Sequence, residues 1–355
     1  MKTSSKSNRS RQKSLSNVIL LFSSILISLV IVEVGLRLYG IVPDRHRLFA
    51  YEFDDEIGWQ PRKNFRCFHS TPNYAHFNYY NAEGLPTDAG SFGSGYDPDK
   101  PAIALVGDSF VESYYVPYEK SFPFLLDQAI TSHQVVNLGV SGYSPEQYLL
   151  RSRRELPKYN VSHVVVVLFA HNDVNYVDKT LYQGYAKPVF GDDLSQPFNT
   201  PLPMLGGQAQ PGSLVQRLGR GMAIYTVLRP LYKTYIDAPD EYQIPDELTL
   251  DEDKFAKAMR IIAEIRNVVP TANFHVAYMP IYQEVVNGDA FIRNIETFRR
   301  NCNLLGLSCH VSRFDKLDPD ELLRQYIDPL RGEGHISVEG SARYAKFLEE
   351  ILALN

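Results

Sequence analysis

The sequence predicts an α/β fold built on a mostly parallel sheet, and three observations carry that prediction. From residue 101 onward, short apolar runs of strand length alternate with longer segments of helical periodicity, the pattern of repeated βα units. The strand segments are near-continuous runs of Val, Ile, Leu and Ala, as expected of strands buried on both faces. Polar or glycine residues suited to chemistry, namely Ser109, Gly139 with Gly142, and Asn172, follow three successive strands. They recur at about the spacing of one βα unit, which puts them on one edge of the sheet.

Taken in order, the first strand covers 102–106, where Ile103-Ala104-Leu105-Val106 runs straight into Gly107-Asp108-Ser109. A glycine there permits a tight turn. A helix lies within 120–130 and a second strand over 134–138. The next helix spans about 145–156, with Ser144 as N-cap and Gln147 as its capping-box partner. A third strand covers 164–169. Residues 175–245 break the rhythm: 197–212 holds Pro201, Pro203, Pro211, Gly206 and Gly207, and the insert is rich in tyrosine. So long an excursion inside a domain reads as a cover over a site; its tyrosines suit packing or stacking on sugar rings. A helix over 222–235 would be kinked or broken by Pro230. The rhythm resumes with a helix over 251–268, a strand over 274–279, a helix over 289–305, a strand over 307–311 and a closing helix over 337–352. Right-handed crossovers are expected throughout.

Before this core, 34–86 reads as an irregular, aromatic-rich neck and 90–100 as a Gly/Ser/Asp/Pro linker. Before the neck, Ser14 to Val32 holds no charge over 19 residues. At about 1.5 Å per residue a helix of that length nearly spans a bilayer core. Lys2, Lys6, Arg9, Arg11 and Lys13 precede it and Glu33 follows, which places the N-terminus in the cytoplasm and the body outside it. No small-x-small cleavage site follows, which favours an uncleaved anchor over a signal peptide. The parts are then a basic tail (1–13), an anchor (14–36), a neck and linker (37–100) and a domain over 101–355 with its insert near 175–250. Net charge is −5; setting aside the five N-terminal positives leaves −10 on the rest. An acidic body argues against nucleic acid as a partner.

Three cysteines permit at most one internal disulfide. Cys302 and Cys309 flank Gly306; they meet if the chain turns there, and cannot on a continuous helix, in which case they are ordinary buried thiols. No His/Cys cluster has zinc-site spacing.

The chemistry available at the predicted edge is acyl transfer. Ser109 supplies a nucleophile, and the N–H groups of Ser109 and Gly142 with the Asn172 amide supply three donors for an oxyanion. His335, just before the closing helix, supplies a base. Singly, each has a plainer reading: Asp108 or Ser109 as a helix cap, the glycines and Asn172-Asp173 as turn residues, His335 as a cap or surface histidine. His171 reads as structural.

Together these blocks resemble the SGNH (GDSL-type) hydrolases. Gly107-Asp108-Ser109-Phe110 is similar to the nucleophile block, and Asn137-Leu138-Gly139-Val140-Ser141-Gly142 to the glycine block. His171-Asn172-Asp173 resembles the Gly-x-Asn-Asp block, and His335-Ile336-Ser337 with Gly340 the histidine block. The resemblance covers roughly 101–180 and 320–352; Gly58-Trp59 and Asn81 to Leu85 also resemble membrane-anchored bacterial members. It implies a flavodoxin-like three-layer α/β/α sandwich with a five-stranded sheet, and metal-free, cofactor-free esterase, lipase or O-acyltransferase activity. Two positions depart from the pattern. Gly332 stands where an aspartate usually precedes the histidine by three, so the acid orienting His335 is Glu333 or, alternatively, Asp328, unless a backbone carbonyl serves. Ala170 replaces the glycine before the Asn-Asp pair. An α/β-hydrolase elbow would need Gly-x-Ser-x-Gly, and Val111 fills its second glycine position. The expectation is a membrane-anchored esterase outside the cytoplasm, acting on an O-acyl ester of an envelope glycan or lipid. The alternatives are an O-acetyltransferase of a surface polysaccharide, working with a membrane acyl-donor protein, and a non-catalytic glycan-binding component with the same fold.

Overall fold

The computed structural model describes residues 4–41, 50–90, 95–182, 185–201, 221–235, 248–331 and 334–354. Helix α1 (Ser4–Tyr39) carries the uncharged segment with its apolar side chains exposed, and its Leu15–Tyr39 portion is long and apolar enough to cross a bilayer. The next stretch is not irregular. Strands β1 (Tyr51–Asp54) and β2 (Gly58–Pro61) form an antiparallel hairpin. Strands β3 (Phe65–Ser70), β4 (Ala75–Tyr80) and β5 (Pro86–Thr87) form a three-stranded antiparallel sheet. The first hairpin is closed by Asp54, whose Oδ1 accepts the N–H groups of Glu56 and Ile57, a turn this residue makes readily. These strands are short and weakly alternating, which hid them from a periodicity argument.

The core sheet comprises β6 (Ala102–Val106), β7 (Gln134–Asn137) and β8 (Val161–Leu168), then β11 (Asn273–Tyr278) and β12 (Ser308–Val311). A small hairpin, β9 (Leu181–Tyr182) with β10 (Tyr185–Ala186), intervenes in the chain. The spatial order is β12-β11-β8-β6-β7, with every pair parallel. Counted among core strands alone, this is the flavodoxin-like order 2-1-3-4-5, whose direction of winding reverses between β6 and β8; ligands bind at that switch point. Successive strand residues serve opposite faces. Ala104, Val106, Val164 and Val166 join one apolar cluster, and Ile103, Leu105, Val165 and Val167 the other.

Among the described residues the further α-helices are α2 (Ser109–Glu112), α3 (Phe122–Ala129), α4 (Pro145–Glu155), α5 (Ala170–Tyr176), α6 (Ala223–Tyr235), α7 (Glu252–Ile265), α8 (Tyr282–Asn287), α9 (Asp289–Leu305), α10 (Pro319–Arg324) and α11 (Val338–Leu352). Leu149, Phe255, Ile262 and Phe298 bring α4, α7 and α9 to the first cluster, whereas Leu126, Tyr344 and Leu348 bring α3 and α11 to the second. The result is a three-layer sandwich.

Some local expectations are replaced by tertiary contacts. Ser144 precedes α4, but the capping box does not form: its hydroxyl donates to Glu146, and Gln147 instead donates to the Ile57 carbonyl in the first hairpin. Helix α6 continues through Pro230 to Tyr235. At the end of α9 the chain turns at Gly306, which takes a left-handed conformation, and Cys302 and Cys309 are joined in a disulfide with their Cα atoms 6.2 Å apart.

Candidate active site

Ser109 is the first residue of α2, immediately beyond the carboxyl end of β6. The turn requires Gly107, because a Cβ there would lie 2.3 Å from a Val111 methyl. Asp108 caps α2 by accepting the Phe110 N–H at 2.9 Å. The helix-cap reading of this triplet is therefore correct for Asp108, and it leaves the next side chain, Ser109, for chemistry.

Ser109 Oγ lies 3.0 Å from His335 Nε2. With the imidazole proton on Nδ1, Nε2 accepts from the hydroxyl, the arrangement a general base needs. The sequence separates these residues by 226 positions, and the local fold explains how they meet. The His335 carbonyl accepts the Ile327 N–H at 2.7 Å, Ser337 N–H donates to the Gln325 carbonyl at 2.7 Å, and Tyr326 and Ile336 form an antiparallel bridge. Ser337 then caps α11 through the Gly340 N–H. The ring is stacked on Tyr115, centroids 4.4 Å apart, with Phe110 5.0 Å away on tilted planes.

Of the two candidate acids, Glu333 lies outside the described residues. Asp328 is half-buried, and its side chain makes no hydrogen bond or ion pair among the described residues. No hydrogen bond joins Asp328 to His335 among the described residues.

The three groups expected to serve as oxyanion donors sit around α2. Asn172, in the first turn of α5 after β8, donates one amide hydrogen to Asp108 Oδ2 at 2.9 Å; a primary amide keeps a second. The Ser109 and Gly142 N–H groups donate to no acceptor among the described residues. Gly142 has φ +77°, and a Cβ on it would lie 2.3 Å from the Tyr182 ring. The glycine block is pressed onto α2: a Cβ at Gly139 would sit 2.3 Å from the Glu112 nitrogen. Glu112 in turn accepts the Ser141 N–H at 2.6 Å. The same buried carboxylate accepts the hydroxyls of Tyr51 and Tyr80 from the antiparallel strands. Sequence reasoning missed Glu112, Tyr51, Tyr80 and Tyr182; the one available hint was an acid set directly after Phe110-Val111 in an apolar stretch.

Burial dominates the electrostatics behind Asn172. It pushes the Asp108 carboxyl up to about 6 against hydrogen bonds from Phe110 and Asn172 and the charge of His335. Asp173 is pushed well above the carboxylate range by burial, with the nearby Asp108 charge adding to it, and accepts the Tyr148 hydroxyl at 2.6 Å. His171 is held neutral, lowered to about 4 by burial, with its Nε2 3.7 Å from Glu284 Oε2. Burial raises Glu284 to about 7. Among the described residues, no group of three or more His, Cys, Asp or Glu side chains is placed to hold a metal ion.

No family model and no curated protein matches the chain. Among solved structures, it is similar to a lipolytic protein of the G-D-S-L family from Veillonella parvula, with 12% identity over 71% of this chain and 98% of that one and a TM-score of 0.41. A lipase/acylhydrolase from Enterococcus faecalis is similar at 12% identity over 71% and 95%, TM-score 0.40. A psychrotrophic esterase from a Pseudoalteromonas species is similar at 12% over 71% and 98%, TM-score 0.39.

Proposed function

We propose that the chain is a membrane-anchored serine esterase of SGNH type, with its body outside the cytoplasm, acting on an O-acyl ester of a cell-envelope glycan or lipid. The observation that carries this reading is the 3.0 Å approach of Ser109 Oγ to His335 Nε2. In the first half-reaction Oγ bonds to the acyl carbon while its proton passes to Nε2. The oxyanion is received by the N–H groups of Ser109 and Gly142 and the second Asn172 amide hydrogen. Collapse of this intermediate breaks the bond to the alcohol, which leaves with the proton from Nε2, and the acyl group stays on Ser109. In the second half, an acceptor hydroxyl gives its proton to Nε2 and takes the acyl group, and Ser109 leaves reprotonated. Water as acceptor yields the free acid; a sugar hydroxyl yields a transferred ester. The uncharged stretch of α1 from Ser14 to Val32, behind the basic N-terminal residues, supports an envelope substrate.

The test is turnover of p-nitrophenyl acetate by the purified full chain against Ser109→Ala, with phosphonofluoridate labelling alongside. Activity and an adduct on Ser109, both lost in the variant, are expected. Equal rates in the two proteins would overturn the nucleophile assignment. A folded protein that takes no label would favour a non-catalytic glycan-binding role.

A further inference from the structure

Helix α6 belongs to the insert, yet its described contacts lead to α1 and, beside it, to strand β3. The Glu33 carboxylate accepts the N–H groups of Ala223 and Ile224 at 2.9 and 3.0 Å. Arg37 bonds Glu33 at 2.7 Å and donates to the Gly221 carbonyl at 3.0 Å. An acid placed on the unsatisfied first N–H groups of a helix is a strong cap. Glu33 is also the first charge after the 19 uncharged residues from Ser14 to Val32. Helix α6 therefore begins at the depth where α1 reaches the end of its apolar length.

Ala223 and Thr226 on α6 are buried, while Met222, Val227, Leu228 and Leu231 are 37–54% exposed. Residues 227, 228 and 231 share one face at helical spacing. The surrounding sequence is cationic: residues 201–236 contain Arg217, Arg220, Arg229 and Lys233 and no acid, on a body that is otherwise acidic. An exposed apolar face in a basic segment, tied to the end of a membrane helix, is the composition of an interfacial helix.

We propose that the Val227/Leu228/Leu231 face of α6 docks into the anionic phospholipid leaflet that α1 leaves, giving the body a second membrane contact. This rests on α1 being a membrane anchor. The contact fixes how the body sits over the surface, so that a substrate held in or near the membrane meets the site in one orientation.

The test uses the full chain with Cys67→Ser as background, reconstituted in phosphatidylglycerol/phosphatidylcholine vesicles. An environment-sensitive fluorophore is placed at Leu228→Cys, at Leu26→Cys in α1, and at the exposed Glu296→Cys on α9. Lipids carrying a nitroxide high on the acyl chain should quench the Leu228 label at least twofold more than the Glu296 label. Deep nitroxides should quench the Leu26 label. Replacing phosphatidylglycerol by phosphatidylcholine should weaken quenching at Leu228 and leave Leu26 unchanged. A Leu228 label quenched no more than Glu296 while Leu26 is quenched overturns the docking and keeps the anchor. A blue-shifted but unquenched Leu228 label also overturns it, since protein then covers the face. An unquenched Leu26 label overturns the anchor itself.

Discussion

At Asn172, one amide hydrogen is spent on Asp108, and the proposed mechanism gives the other to the oxyanion. Asn172→Ala removes both functions, and kcat should fall by about 10²–10³ with KM nearly unchanged; a variant with unaltered kcat would remove Asn172 from the oxyanion site. A second residue-scale consequence lies at Glu284, buried beside His171, with Tyr278 and Asn294 donating to its Oε1. Its folded pKa is raised to about 7 from 4.5. Between those values the folded state holds a proton that the unfolded state has lost, so this group's contribution to stability declines as pH rises. Glu284→Gln keeps an acceptor for Tyr278 and Asn294 and removes the titration. Relative to the parent, the variant should gain stability as pH rises from 4.5 to 7, by up to roughly 3 kcal/mol. Urea titrations at pH 5 and pH 8 measure it, and a stability difference that does not change with pH would refute it. His171 has the opposite window: its lowered pKa costs stability as pH falls from 6.5 towards 4. Ser109, Gly139 with Gly142, and Asn172 were legible because each follows a buried strand, whereas His335 follows a loop and was legible only from its place before the closing helix. The pairs that hold them were not, because a buried Glu112 or Glu284 is indistinguishable in sequence from a solvated one.

Elements with strong periodicity were legible nearly to the residue: the strand over 102–106 and the helix over 289–305 are found with those bounds. Helix α5 was not, because Ala170-His171-Asn172-Asp173 has the composition of a turn and is held helical by its seat behind β8. The loop that presents His335 depends on a helix end. A Cβ at Gly340 would lie 2.1 Å from the Gln325 carbonyl oxygen, the same oxygen that accepts the Ser337 N–H. Gly340→Ala must push α11 away from the 325–327 segment and shift the backbone bond between His335 and Ile327. The expected cost is about 1–3 kcal/mol of stability, as for overpacking elsewhere, together with a loss of esterase turnover below the melting transition. If turnover per folded molecule is unchanged, α11 does not set the position of the base.

For the molecule as a whole, the antiparallel strands before residue 101 are part of what shapes the site. Trp59 Nε1 donates to the Ser141 carbonyl at 3.1 Å, while the Ser141 N–H is held by Glu112. Tyr143 donates its hydroxyl to the Trp59 carbonyl, and Tyr51 and Tyr80 close on Glu112. Both backbone polar groups of the residue before Gly142 are thus fixed by, or through, the chain between 50 and 80. Removing those strands would take two hydroxyl donors from the Glu112 carboxylate and the Trp59 donor from the Ser141 carbonyl; each lost hydrogen bond costs about 1 kcal/mol, and the apolar faces the strands cover would be exposed. A chain beginning at residue 101 should therefore fail to fold or lose p-nitrophenyl acetate turnover by orders of magnitude. A chain beginning at residue 50 lacks α1 but keeps β1 to β5, and should retain turnover on this soluble ester. The comparison separates anchoring from catalysis: full activity from residue 101 would mean that the antiparallel strands only decorate the domain, whereas activity that survives only in the longer chain makes them part of the oxyanion site.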